Sequence, residues 1–151
     1  MTSDPRPVEQ LIGYRLKQAQ SALRSRMDDA LRALGLTTPQ YSCLDAIGRH
    51  PGASTSDVAR SVFVTRQTMN TLLRGLAERG LIVRAADASG RAIPLTLTPR
   101  GRALLDAANA RIDAISRALD RALDPAAHAA LLSGLARVIE TLEDLPEATD
   151  L

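Results

Sequence analysis

Gln67, Asn70, Thr71 and Arg74 recur at helical spacing, on the side opposite the apolar run Met69, Leu72, Leu73 and Leu76. The chemistry of that set is hydrogen bonding to the edges of nucleotide bases. The amides of Gln and Asn carry a donor and an acceptor that match adenine, a guanidinium matches guanine bidentately, and a threonine methyl can touch that of thymine. Immediately upstream, Thr65 is placed to cap the helix and Arg66 to meet a phosphate at its start, where free N–H groups and the helix dipole favour an anion. Arg84 extends the line of cations. Arg91, beside Gly90 at a loop tip, could enter a minor groove, where narrow A·T stretches concentrate negative potential.

The charge distribution points to the same partner. Residues 58–102 hold eight arginines against Glu78 and Asp87, whereas the rest of the chain holds eleven basic and fifteen acidic side chains. Positive charge gathered in one segment of a nearly balanced chain suggests a polyanion. All the cations but Lys17 are arginine, the residue suited to bidentate contacts with phosphate and guanine, although a GC-rich genome alone would give the same bias. Catalysis finds no support. There is no G-x-S-x-G elbow, no phosphate-binding glycine loop and no paired histidine and carboxylate. His50, His128 and Cys43 are scattered without the spacing of a zinc site, so neither an enzyme nor a metal or other cofactor is expected.

These residues need a scaffold, and the sequence supplies one. Ser54 and Asp57 form a capping box that opens a short helix with Val58, Ala59 and Val62 on its apolar face, and Ser54 is also a candidate DNA contact. Thr65 then caps the second helix, which carries the polar set. Leu81–Arg84 and Ile93–Leu97 read as two strands joined through Asp87–Arg91, with Pro94 implying an exposed edge. Around this helix-turn-helix and hairpin the periodicity predicts four more helices. One long helix spans 8–34 and ends at Gly35; a short one opens with Thr38 as N-cap and Pro39 at its first position, stopping before Pro51 and Gly52. Another begins at Thr98 and Pro99, and the last runs from Asp124 and Pro125 to Leu145.

The fold class is therefore mainly α with a small β-hairpin, a winged helix-turn-helix with long N- and C-terminal helices. We expect one domain over 1–151, with the DNA-binding region at 36–98 and dimerisation helices at 8–34 and 98–145. A monomeric bundle would show the same periodicity. The dimer is favoured because a helix-turn-helix subunit reads only one half-site. The core must be aliphatic, since Tyr14, Tyr41 and Phe63 are the only aromatic residues. No run of about 18 apolar residues or secretory signal is present, so a soluble cytoplasmic protein without a membrane partner is expected. Residues 146–151 read as a frayed tail.

The order of elements, the segment S-T-S-D-V-A-R-S-V-F-V-T-R-Q-T-M-N-T-L-L-R-G-L-A-E-R-G-L-I-V-R and the closing L-T-L-T-P-R-G-R-A-L resemble the MarR family of winged-helix transcriptional regulators. The resemblance implies a homodimer joined through its first and last helices, bound to a pseudo-palindromic operator on double-stranded DNA and usually repressing transcription. It also implies release by a small phenolic or aromatic carboxylate effector held between the dimer helices and the reader. In the cleft between the first, second and fifth helices, Tyr14, Arg15, Tyr41, Arg49 and His50 are the polar or aromatic side chains within reach, and an arginine could hold a carboxylate. Each has a plain reading too: the tyrosines as core residues, His50 as a cation at a helix C-terminus.

Two positions depart from the family. Gly90 stands where its wing tip commonly has aspartate, a Gly-Arg tip that resembles members responsive to salicylate-like compounds. Cys43 lies in the second helix, whereas peroxide-sensing members have their reactive cysteine in the first; a buried, inert thiol is expected. A winged helix that docks a protein rather than DNA remains the alternative.

Overall fold

The computed structural model describes residues 6–84 and 94–146, which divide into two compact units between Asp113 and Ala114. In the first unit, a 3-10 turn at Val8–Gln10 precedes α1 (Ile12–Arg32), followed by α2 (Thr38–Arg49), α3 (Thr55–Val62), α4 (Arg66–Glu78), β1 (Ile82–Arg84) and β2 (Leu95–Leu97). Helix α5 (Pro99–Arg121) begins in this unit and ends in the second, which also holds α6 (Pro125–Glu143).

Two expectations about the helices need correction. The apolar period from residue 8 to 34 is not one helix, because Leu11 is extended (φ −81°, ψ 127°) and interrupts the hydrogen-bond ladder between the turn and α1. Periodicity records which side is apolar and is blind to a single residue leaving the helical backbone. The cap of α2 is Thr37 rather than Thr38. Thr37 Oγ1 accepts from Gln40 N at 3.3 Å and Gln40 Oε1 accepts from Thr37 N at 3.0 Å, a reciprocal box that Thr38 could not make. Thr38 instead donates its hydroxyl to Asp28 of α1, and that bond holds the Asp28 carboxyl below its ordinary pKa.

The remaining caps stand where the sequence puts them: Ser54 for α3, Thr65 for α4 and Asp124 for α6, the last accepting from Ala127 N at 2.9 Å. Thr98 opens α5 with its hydroxyl oxygen accepting from Gly101 N at 3.0 Å.

The core of the first unit is aliphatic, as expected. Leu31, Leu36, Leu44, Ile47, Val58, Met69, Leu73, Leu76, Leu81, Leu95 and Leu105 are buried, and Tyr41 is the buried aromatic among the described residues. Cys43 is fully buried in it, 3.7 Å from the Met69 sulfur, and burial pushes its thiol pKa up to about 12. That matches an inert thiol, since the reactive species is the thiolate.

Strands β1 and β2 are antiparallel, with Ile82 opposite Leu97, Val83 opposite Thr96 and Arg84 opposite Leu95. The hairpin is fastened to the helices at both ends of its base. Leu95 N donates to Ala53 O at 3.1 Å and Gly52 N to Leu95 O at 3.3 Å, so the α2–α3 connection pairs with β2. On the other side, Gly80 takes a positive φ of 70° that turns the chain from α4 into β1, and Leu81 N closes the turn on Leu76 O at 3.0 Å. The hairpin turn, with Asp87, Gly90, Arg91 and Ile93, lies outside the described residues, as do residues 147–151 of the expected tail.

The second unit has no buried residue in α6. Leu131, Leu132, Ile139 and Leu142 are each half exposed or more. In the first unit Val8 and Ile12 are similarly uncovered. No helix among the described residues is long and apolar enough to cross a membrane, and no group of three or more His, Cys, Asp or Glu is placed to hold a metal there.

Candidate nucleic-acid interface

The reader starts with the cap of α3. Ser54 Oγ accepts from Asp57 N at 3.1 Å and donates to Asp57 Oδ2 at 2.7 Å, while Ser54 N donates to the same carboxylate at 3.1 Å. Bonds from Ser54 above all, and the nearby Arg60 and His50, hold the Asp57 carboxyl below its ordinary pKa. The Ser54 hydroxyl, a candidate DNA contact, is engaged here in capping the start of α3.

Helix α3 ends at Phe63, which adopts the left-handed conformation (φ 57°, ψ 42°) and redirects the chain toward α4. A residue with a Cβ costs roughly 1–2 kcal/mol in that conformation. Its ring recovers little by packing against the described residues, being 93% exposed.

In α4 the apolar residues Met69, Leu73 and Leu76 are buried, Leu72 is partly buried, and Gln67, Thr71 and Arg74 are exposed on the other side. Asn70 is half-buried at the margin. Thr65 Oγ1 accepts from Thr68 N at 3.2 Å and bonds the Thr68 hydroxyl at 3.0 Å, fixing the first turn that carries Arg66. Thr71 donates its hydroxyl to Gln67 O at 3.3 Å, which leaves its methyl for outward contact.

The arginines sort by what they touch. Arg49 pairs with Asp45 at 2.7 Å, Arg60 pairs with Asp57, and Arg79 Nη1 donates to Gly35 O at 2.9 Å. Arg84 Nη2 reaches Asn70 Oδ1 at 3.5 Å. Arg66 and Arg74 are exposed and make no hydrogen bond or ion pair among the described residues. Arg74 belongs to the outward side of α4 and Arg66 to its first turn, so unpaired positive charge stands beside the polar set. Arg91 lies outside the described residues.

A lock sets the height of the hairpin against the helices. Thr98 N donates to Leu81 O at 3.1 Å, and its hydroxyl donates to Gly80 O at 2.7 Å. Gly101 follows one turn later, and a Cβ there would lie 1.9 Å from Leu81 O. The closing segment Leu97–Arg102, L-T-P-R-G-R, is therefore a contact between the start of α5 and the base of the hairpin.

The expected effector residues separate into two places. Tyr41, Arg49 and His50 line one groove of about 290 Å³ together with Asp45, Val62 and Phe63. Tyr14 lines another hollow along α1 with Lys17, Gln18 and Ser21. Arg15 donates to Glu9 O at 2.8 Å and to Gln18 Oε1 at 2.9 Å. A single chain does not assemble all five, because α1 turns Tyr14 to a hollow of its own. The Tyr41 hydroxyl donates to Asn109 Oδ1 of α5 at 3.0 Å, and burial raises its pKa above the ordinary value. Sequence reasoning missed Phe63 as a lining residue of the groove and Asn109 as the partner of the Tyr41 hydroxyl. An aromatic residue between two adjacent helices was a signal for the first; nothing local pointed to the second.

A family model described as MarR family matches residues 34–92, the helix-turn-helix and the start of the hairpin. The HTH-type transcriptional repressor Rv2887 of Mycobacterium tuberculosis is 44% identical over 110 residues, which cover 72% of this chain and 76% of that protein. The chain belongs to the MarR family. The winged helix of this MarR-family chain is accordingly a member of a class of transcriptional regulators rather than of catalysts. The crystal structure of Rv2887 with salicylic acid is similar over 93% of this chain and 99% of that one, with a TM-score of 0.64 at 37% identity. The transcriptional repressor CouR, bound to a 23-mer DNA duplex, is similar over 92% of this chain and 99% of its own, with a TM-score of 0.79 at 29% identity.

Proposed function

We propose that this MarR-family protein is a cytoplasmic, homodimeric transcriptional repressor that binds a pseudo-palindromic operator in double-stranded DNA and releases it to a small aromatic carboxylate or phenol. The observation that carries the reading is that Arg74, exposed and without a partner among the described residues, shares the outward side of α4 with Gln67 and Thr71, while Arg66 stands exposed and equally unpartnered at the helix start. A surface meant to dock a protein would have an apolar centre. This one offers amides, a methyl and guanidinium groups, the chemistry of a major groove. Similarity to a repressor whose structure holds a DNA duplex supports the same reading.

The dimer is supported by the uncovered apolar side chains of α6 and of the N-terminal segment, which a second copy would cover. The effector is supported by the groove beside Phe63, where an exposed ring, Arg49 and His50 meet, and by similarity to a protein crystallised with salicylic acid. Footprinting on DNA upstream of the protein's own coding region should show a two-fold protected site that fades on adding salicylate. Affinity should fall with salt at a log–log slope of about −0.9 per phosphate neutralised. No protected site at low salt, or binding of a protein indifferent to salt, would overturn the proposal.

A further inference from the structure

Asn70 and Arg84 come from different elements, α4 and β1, and meet with Arg84 Nη2 3.5 Å from Asn70 Oδ1. A guanidinium has donors only, so the amide atom that faces it must be the oxygen. The carboxamide then has one favoured orientation, with Oδ1 toward the hairpin and Nδ2 turned away from it. An unrestrained asparagine can rotate its amide by half a turn, exchanging donor and acceptor at little cost.

That exchange matters for base recognition. Adenine offers N7 as acceptor and N6 as donor in a fixed order along the groove, while other pairs present other orders. An amide free to rotate can meet either order and discriminates less. The second lone pair of Oδ1 stays available while the arginine holds the first.

We propose that Arg84 is a positioning residue for sequence recognition: by donating to Asn70 Oδ1 it sets the order in which Asn70 presents acceptor and donor to a base. This rests on the reading that α4 enters the major groove. It gives Arg84 a role distinct from holding a phosphate. Arg84 is the last residue of β1, opposite Leu95, whose backbone pairs with the α2–α3 connection, so the strand position that carries it is tied to the helices.

The test is selection of preferred sites from a randomised duplex library, with salt titrations, on the wild-type protein and on Arg84→Met, Asn70→Ala and the double variant. Arg84→Met keeps most of the aliphatic stem and removes donors and charge. It should flatten preference at the same base positions that Asn70→Ala flattens, from the roughly 5- to 150-fold of a good bidentate pair to about 2-fold. Positions read by other residues should keep theirs. In the Asn70→Ala background, Arg84→Met should change the profile no further.

An Arg84→Met protein that keeps the wild-type profile, with the salt slope smaller by about 0.9, would show Arg84 to be a phosphate contact and overturn the proposal. Asn70→Asp supplies a second check, since a carboxylate offers acceptors only. Paired with Arg84, it should move preference toward a base pair presenting the cytosine N4 donor. A wild-type protein that selects no sequence at all would instead overturn the DNA-reading function itself, and this proposal with it.

Discussion

Replacing Gly101 with alanine tests the lock between α5 and the hairpin. The new Cβ would stand 1.9 Å from Leu81 O and 2.9 Å from Leu81 C, and regaining a 3.0 Å contact requires the two backbones to part by about 1.1 Å. The obstructing atoms are main chain, so no rotamer change relieves them. Parting on that scale stretches the 3.1 Å bond from Thr98 N to Leu81 O beyond hydrogen-bonding range. Loss of that bond costs about 0.5–1.5 kcal/mol, and overpacking typically costs about 1–3 kcal/mol. The better helix propensity of alanine returns at most about 1 kcal/mol. A net loss of about 2 kcal/mol follows, within a range of about 0.5–3.5 kcal/mol, and 2 kcal/mol is roughly 4–8 °C in Tm for a chain of this size. Urea denaturation followed by circular dichroism measures it, at one protomer concentration throughout because a dimer's stability depends on it. Gly75→Ala is the control. It lies inside α4, where an added Cβ would meet nothing within 4 Å, and should gain up to about 1 kcal/mol. A Gly101→Ala protein as stable as wild type would refute the close-approach argument, as would equal shifts of the two variants.

Other outcomes follow from single features. Arg74→Ala should weaken operator binding at least tenfold in an electrophoretic mobility assay, with unchanged thermal stability, because the side chain is exposed and unpartnered among the described residues. Phe63→Gly should raise stability by about 1 kcal/mol in a denaturant titration, since glycine adopts φ 57° without the penalty of a Cβ; a loss would mean that a second copy covers the ring. Asp57 has a lowered pKa in the folded chain, so its contribution is complete above the ordinary aspartate value of about 3.9 and disappears as pH falls through the lower, folded one. Asp57→Asn should therefore flatten the acid limb of a stability-against-pH curve, and an unaltered limb would contradict the assignment. Light scattering at micromolar concentration should give the mass of two chains, and a monomer there would remove the explanation for the uncovered leucines of α6.

Much of the reader was legible because its signals are local. A cap and its partner lie three residues apart, as in Ser54 with Asp57, and the buried side of α4 repeats within each turn. Such patterns arise from the geometry of one helix and need no knowledge of neighbours. The same logic misread residues 8–11, where apolar period continued through an extended Leu11, and chose Thr38 over Thr37, where two adjacent threonines compete for one cap.

By itself the sequence determined the order of the elements, the polar face of α4, the charge concentrated around it and the burial of Cys43's neighbourhood. The tertiary structure alone decided which groups distant in the chain meet. Arg84 with Asn70, Thr98 with Gly80, Arg79 with Gly35 and Tyr41 with Asn109 are separated by 14, 18, 44 and 68 residues. No periodicity reaches that far. Those contacts depend on how the elements pack, which ties Arg79 and Arg84 to distant groups of the fold and leaves Arg66 and Arg74 exposed without a partner among the described residues.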